Sequence, residues 1–451
     1  MRTINIAFLS MSHIVGFNPI IYDTEETKKE YLRRLKRYLK AGRWRERKYV
    51  RAQIQAYTSI FNETIQKGNA HGIDFYRYYI LLDLLHILSG RAGADAEEKV
   101  KKVKEKYFQD FCLKSEERKI AGQILQALVN SGQKVSLPIR AKALSGREKE
   151  YMRLIKSNFK FLHREPYIVL VTATMSAGKS TFINALTGKH VCLSQNMACT
   201  SKRHCIINKA FEDGYSYEYD YDLVMTAGQT ELMNNNEGNM SDTIAVATHF
   251  DSILGNKRII VNDSPGVNFS GDEGHKKLTD KLIKKKKYQL LIYIMNATQL
   301  GTNDEDEHLN YVKKCVGRKK IIFVVNKIDA FNVEEENVIS AIEAQEAYLK
   351  KKGFKDPIIC PVSSRAGYLA KRFKKEELSR SEKRELYNYV DKFERMNLPA
   401  YYTRRFGQLG IKNADTEEEQ LIKTSGMAFV EKIIALYAEG GKVDGTALRK
   451  I

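Results

Sequence analysis

No stretch of about 18 uninterrupted apolar residues, the length that signals a membrane span, occurs in the chain. The nearest candidate, Tyr78–Leu88, is short and broken by Asp83 and His86. A secretory leader is not expected either: the apolar patch Ile4–Leu9 soon meets Ser10, Ser12, His13 and Asn18, with no small-residue cleavage pattern. These absences predict a soluble or peripheral protein. Cysteine is sparse, six in 451 residues, at Cys112, Cys192, Cys199, Cys205, Cys315 and Cys360. No paired spacing suggests a disulfide framework, so a reducing, cytoplasmic setting with free thiols is expected. Cys192, Cys199 and Cys205 lie near His190 and His204, but the spacing fits no zinc module, and core or loop thiols are expected. Acidic residues are in deficit: 55 Asp and Glu against 75 Lys and Arg leave a net charge of +20. That excess predicts an anionic partner, whether nucleotide, phospholipid headgroups or nucleic acid.

What the chain does hold is centred on Tyr167–Leu186. Ile168–Thr172 is a short β-branched run, the mark of a buried strand, and Ser180–Leu186 reads as the start of a helix. Between them, Ala173-Thr174-Met175-Ser176-Ala177-Gly178-Lys179-Ser180 is a Walker A loop whose first glycine is replaced by Ala173. A triphosphate needs many converging N–H donors, and a tight loop feeding a helix N-terminus supplies them. Ala177, Gly178, Lys179, Ser180 and Thr181 are therefore the expected phosphate cradle. Lys179 should reach the β- and γ-phosphates, and the Ser180 hydroxyl should ligate Mg²⁺.

Three further motifs follow, each after an apolar run. Asp263-Ser264-Pro265-Gly266 matches D-x-x-G: Asp263 would hold Mg²⁺ through water and the Gly266 N–H would bond the γ-phosphate. Asn326-Lys327-Ile328-Asp329 matches N-K-x-D, and the Asp329 carboxylate can accept from guanine N1–H and the 2-amino group, which selects GTP over ATP. Ser363-Ser364-Arg365-Ala366 sits where a base-lining fifth motif belongs. Thr200 is the candidate switch threonine, its hydroxyl toward Mg²⁺ and its carbonyl toward the attacking water. Val267 stands where Ras-like enzymes carry a water-positioning glutamine, so water must be activated otherwise.

Helical periodicity fills the chain before the loop. Tyr31, Leu32, Leu35, Tyr38 and Leu39 mark one helix, and Val50, Ile54, Tyr57 and Phe61 a second that runs to about Gly68. Their other faces carry Lys28, Lys29, Arg33, Arg34, Lys36, Arg37, Lys40, Arg43, Arg45, Arg47, Lys48 and Arg51. This is either a solvated face or a surface for anionic lipid or RNA. Ile73–Ser89, apolar nearly all round, should be a central buried helix, and further helices are expected around Val103, Ile124 and Ile155. From Tyr167, strands alternate with helices. The span from Lys179 to Asp263 is roughly double that of a minimal Ras-like domain, and alternating Tyr215, Tyr217, Tyr219 and Tyr221 predict an inserted strand that extends the sheet. Asn296–Asp306 reads as a polar loop, Tyr368–Asn397 as a charged helical insertion, and Ser425-Gly426 as the cap of a final helix. Asn332 with Glu335 resembles an N-cap pair. The expected organisation is a segment 1–23, a helical domain 24–165, a GTPase domain 166–441 and a tail 442–451. The fold class is α/β, a P-loop GTPase domain with an extended mixed sheet preceded by an all-α domain.

With Thr172–Thr181, Asn184-Ala185-Leu186, Cys199-Thr200-Ser201-Lys202, Asp263–Gly266, Asn296-Ala297-Thr298-Gln299 and Asn326–Asp329, the sequence resembles the dynamin superfamily, specifically bacterial dynamin-like GTPases. The resemblance covers about Tyr167–Gly440. It implies a large GTPase whose hydrolysis is stimulated when two GTPase heads meet as a homodimer, with coupling to an anionic membrane surface and to a partner dynamin-like chain. It also implies a K⁺ or Na⁺ ion held by the P-loop serine, here Ser176, so that Lys179, Ser176 and Thr200 carry catalysis. Met175 occupies the place of a water-positioning glutamine in eukaryotic dynamins, and Thr302, Asn303 and Asp304 match a loop that acts in trans. The family follows its GTPase domain with a long helical stalk, so the expectation is a fragment, a reduced family member, or a stalk replaced by the N-terminal helices and a partner chain. The alternative reading is a soluble regulatory GTPase switch that binds RNA or a protein partner.

Overall fold

A computed structural model describes residues 9, 11–64, 70–88, 92–93, 95–130, 144–192, 203–219, 222–227, 243–265, 273–299, 301–331, 338–375 and 378–441. The chain divides into two compact units, residues 1–165 with 210–227, and residues 166–209 with 228–451.

The first unit is built from α1 (Ser12–Phe17), α2 (Glu25–Ala41), α3 (Lys48–Glu63), α4 (Arg77–Leu88), α5 (Ala96–Asp110), α6 (Ser115–Asn130) and α7 (Gly146–Leu162). Thr24 caps α2 by accepting from the Thr27 N–H, and α7 opens on a capping box of Ser145 and Glu148. The expected central helix is shorter than its apolar run: Ile73–Tyr76 is a 3₁₀ turn, and α4 follows with every residue from Tyr78 to Leu88 buried. At its centre the buried Asp83 accepts from Tyr57 at 2.8 Å, from Asn18 at 2.9 Å, and from the Tyr31 and Tyr151 hydroxyls. Burial pushes its carboxyl up to about 6, although all these donors favour the anion.

The basic stripe of α2 and α3 is less free than its sequence suggests. Lys28 is buried and donates to the Phe61 and Thr64 carbonyls at 3.1 and 2.6 Å, satisfying the C-terminal end of α3. Arg33 and Arg34 pair with Glu30, and Arg37 pairs with Asp110 at 2.9 Å. Lys29, Lys40, Arg43, Arg45, Lys48 and Arg51 remain exposed. The alternating tyrosines form an antiparallel hairpin, Tyr215–Tyr219 with Asp222–Ala227, which groups with this unit and packs on α3.

The second unit is the α/β layer. Its strands are β1 (Tyr167–Ala173), β2 (Arg203–Asn208), β3 (Thr243–Thr248), β4 (Ile259–Asp263), β5 (Leu290–Asn296), β6 (Lys320–Asn326) and β7 (Ile358–Val362). They lie in the order β3-β2-β4-β1-β5-β6-β7. β2 runs parallel to β3 and antiparallel to β4, and the remaining neighbours are parallel. β5 is buried at every position, as a doubly covered strand must be. The helices are α8 (Lys179–Thr187), α9 (Glu273–Lys285), α10 (Asn303–Val316), α11 (Val338–Lys351), α12 (Ser364–Phe373), α13 (Arg380–Met396), α14 (Leu398–Phe406), α15 (Glu417–Thr424) and α16 (Met427–Ala438).

The stretch Tyr368–Asn397 is helical in two pieces, the end of α12 at Phe373 and then α13, which starts afresh on a capping box of Ser379 and Glu382. One sequence expectation is corrected here. Asn296–Asp306 is not all loop, because Thr302 caps α10 and places Asn303 and Asp304 in its first turn. The final helix is capped at Gly426, whose φ of +85° only glycine adopts without strain. Asn332 and Glu335 lie outside the described residues.

Candidate functional site: four motifs at the strand ends

Each recognised motif follows the carboxyl end of a strand: the Walker A loop after β1, Asp263 on β4, Asn326 on β6, and Ser363 after β7. In an open parallel sheet this edge is where ligands bind. The loop takes left-handed backbone at two positions. Ser176 has a φ of +59° and Gly178 one of +83°, and α8 begins at the next residue. A Cβ on Gly178 would come within 2.4 Å of the Asn326 Nδ2, so glycine here is dictated by a neighbour as well as by its own backbone.

Asn326 is the strut of the site. Its buried amide donates to the Ala177 carbonyl at 2.9 Å, and its Oδ1 accepts from the Ser364 N–H at 3.1 Å. One side chain therefore ties the phosphate loop to the fifth motif. Lys327 follows in the left-handed region, at φ +67°, and turns the chain into the 3₁₀ segment Ile328–Ala330 that carries the half-buried Asp329. Ser363 caps α12 by accepting from Ala366 N at 3.2 Å, and its own N–H donates to the Ser425 carbonyl at 2.9 Å. Arg365 is held by Glu385 of α13 in a two-pronged pair at 3.0 and 2.8 Å. That pair holds the Glu385 carboxyl below the usual carboxylate range.

On the phosphate side, Lys179 pairs with Asp263, both largely buried. The structure thus joins the Walker lysine to the D-x-x-G aspartate. Ser180 and Thr181 sit half-buried in the first turn of α8, and Met175 and Ser176 are exposed. Asp263 also faces Cys192 Sγ at 3.9 Å, and His204 stands opposite it across the antiparallel pair. Donor atoms of Cys192, His204 and Asp263 lie within 4.8 Å of one another, all buried. The Lys179 ammonium already supplies a positive charge to this carboxylate. Burial, reinforced by the Asp263 charge, drives the Cys192 thiol up. For Mg²⁺, the Asp263 carboxylate and the Ser180 hydroxyl are the hard oxygen donors such an ion takes. Thr200, Gly266 and Val267 lie outside the described residues, as does Cys199.

Sequence reasoning missed the scaffolding. His308 of α10 bonds the Thr172 hydroxyl at 2.9 Å beneath the loop, and burial depresses its imidazole to about 4. Lys371 of α12 donates to the Ala185 carbonyl at 2.6 Å, near the C-terminal end of α8, and pairs with the buried Glu431 of α16. Lys392 donates to the Asp329 carbonyl at 2.6 Å. None has a local sequence signal, since each partner lies far away in the chain. Asn296, from Asn296–Gln299, keeps to itself: its Oδ1 accepts from the Thr298 N–H and hydroxyl at 3.1 and 2.9 Å.

Residues 169–328 match the dynamin family. The probable transmembrane GTPase FZO-like, chloroplastic, of Arabidopsis thaliana is 25% identical over 207 residues, which are 46% of this chain and 20% of that protein. The chain thus spans a small part of the length of that curated relative. Among solved structures, an oligomerised bacterial dynamin pair, described as providing a mechanism for long-range sensing and tethering of membranes, aligns over 95% of this chain and 61% of its own, at 15% identity and a TM-score of 0.38. Era in complex with MgGDPNP and a segment of 16S ribosomal RNA aligns over 45% of this chain and 52% of its own, at 20% identity and a TM-score of 0.28. No described helix is long and apolar enough to cross a membrane.

Proposed function

Since residues 169–328 make the chain a dynamin-superfamily GTPase, we propose that it hydrolyses GTP at the strand-end site, that two GTPase heads pair to accelerate the reaction, and that turnover is coupled to an anionic membrane surface. The observation that carries this reading is the junction of motifs at one edge, where Asn326 links Ala177 to Ser364 and Lys179 meets Asp263.

In this reading Ala177, Gly178, Lys179, Ser180 and Thr181 cradle the phosphates, with Gly266 facing the γ-phosphate. Asn326, Lys327, Asp329, Ser363, Ser364 and Arg365 form the guanine side. Ser180, Asp263 and Thr200 hold Mg²⁺, which neutralises charge on the phosphate oxygens. Ser176 holds a K⁺ or Na⁺ ion, and Asp304, exposed on the first turn of α10, reaches toward a partner head. The exposed basic residues Lys40, Arg43, Arg45, Lys48 and Arg51 favour contact with anionic lipid. A partner dynamin-like chain would complete the assembly.

The deciding experiment is GTP turnover per molecule across a hundredfold range of protein, with and without vesicles containing phosphatidylserine. The proposal expects specific activity to rise with concentration and with vesicles. A flat response in both arms moves the assignment to the monomeric switch that binds RNA or protein.

A further inference from the structure

One helix touches both motifs assigned to the base. α13 packs beside the 3₁₀ segment Ile328–Ala330. Its half-buried Lys392 donates to the main-chain carbonyl of Asp329 at 2.6 Å. One turn earlier, the Tyr389 hydroxyl donates to Glu385 Oε1 at 2.9 Å, and burial together with the nearby Asp329 and Glu385 carboxylates pushes this phenol up. Glu385 in turn grips Arg365 with both oxygens. Residues 385, 389 and 392 recur at intervals of four and three, so they share one face of α13. Glu382, on the same side, pairs with Arg372 of α12 at 2.6 Å and lies 3.7 Å from Arg365. The helix is itself well fixed: its N-terminus has a full capping box, and Leu386, Phe393 and Met396 are buried.

The loop it holds needs holding. Lys327 lies at φ +67°, a conformation that costs a non-glycine residue about 1–2 kcal/mol. The 3₁₀ turn after it spans only Ile328–Ala330. Hydrogen bonding of the Asn326 side chain fixes the start of the motif, but no side chain of β6 reaches past Lys327 to orient Asp329 among the described contacts. The ammonium of Lys392 does so from outside, through a charge-assisted bond to the very residue whose carboxylate would read guanine.

We propose that α13 is a clamp on the guanine side of the nucleotide site, in which Lys392 positions Asp329 and Glu385 positions Arg365. The inference rests on the assignment of Asp329 as the guanine reader. Lys392 and Glu385 bond to the two base-side motifs, at Asp329 and Arg365, so the clamp acts on base recognition and not on bond cleavage.

The test compares GTP with inosine triphosphate, which lacks the 2-amino group, in the full chain. In Lys392→Ala, affinity for GTP falls about tenfold, the scale of a lost charge-assisted hydrogen bond, and affinity for the inosine analogue falls less, so discrimination narrows. KM for GTP rises by a similar factor while kcat at saturation stays within about twofold of the parent. Lys392→Arg restores discrimination, because an arginine keeps a cationic donor on that face. Glu385→Gln gives a smaller loss of the same kind. Equal losses for both nucleotides with no rescue by arginine, or unchanged discrimination in Lys392→Ala, overturn the clamp. Asp329→Asn is run alongside: gain of xanthosine triphosphate binding upholds the assignment of the reader, and its absence removes that assignment independently of the clamp.

Discussion

Gly178 shows how tightly single residues are specified here. Its backbone sits at φ +83°, and any Cβ would strike the Asn326 amide, which is already committed to Ala177 and Ser364. Gly178→Ala is therefore expected to lose more than tenfold in GDP affinity and about 1–3 kcal/mol of stability, read by fluorescent-nucleotide titration and by urea unfolding. Lys179 acts differently. It brings a positive side chain to the phosphate loop, and in the structure that charge lies against Asp263. Lys179→Ala should nearly abolish turnover while leaving weakened but measurable nucleotide binding. Parental turnover in that variant would place the phosphate site elsewhere.

Elements are held by buried polar groups that sequence patterning does not reveal. In the helical unit, α4 carries Asp83 into a shell of three tyrosine hydroxyls and the Asn18 amide, all donors. An asparagine there offers one acceptor oxygen and turns an NH₂ toward donors. Asp83→Asn should cost about 2–4 kcal/mol. The only tryptophan, Trp44, is buried in this unit, so its fluorescence during urea unfolding reports the loss directly. In the α/β unit, α10 buries His308 against Thr172. Its imidazole has a folded pKa of about 4 against an unfolded value of about 6.5. The depressed value means that the neutral form stabilises the fold above the unfolded pKa, and that this stability is lost as pH falls from about 6.5 through 4. Glu305, raised by burial, contributes with the opposite sign. Thermal melting should show the parent losing more stability between pH 7 and 5 than His308→Gln does. An identical pH slope in the two proteins would show that this histidine is not the acid-sensitive group.

At the scale of the molecule, Val267 and Met175 leave the proposed enzyme without either water-positioning glutamine. Water activation in this proposal therefore rests on the Thr200 carbonyl, a monovalent cation at Ser176 and contacts across paired heads. Charge placed in advance on the β–γ bridge can supply several kcal/mol of the barrier reduction. Turnover should then fall when K⁺ is replaced by a cation of the wrong size. Thr200→Ala should slow hydrolysis far more than it weakens GTP binding, and Asp304→Ala should remove the concentration-dependent part of the rate while sparing the basal part. Indifference to both cation and protein concentration would leave a monomeric switch as the better account.

The sequence by itself determined the class of fold and the order of the motifs. A strand, a Gly-Lys-Ser loop and a helix are contiguous, so periodicity and loop chemistry expose them without any tertiary partner; so too the run of helices before Tyr167 and the Gly426 cap. Only the tertiary structure decided what closes the site. Asn326 to Ala177, Lys392 to Asp329 and Lys371 to Ala185 join residues far apart in the chain, and a lysine on an amphipathic helix looks the same whether it faces solvent or a carbonyl. For the same reason Lys28 read as part of an exposed basic stripe but is buried over the end of α3. Composition sets how much charge a surface must carry, but only packing decides which charges meet an internal partner and which remain for an external one.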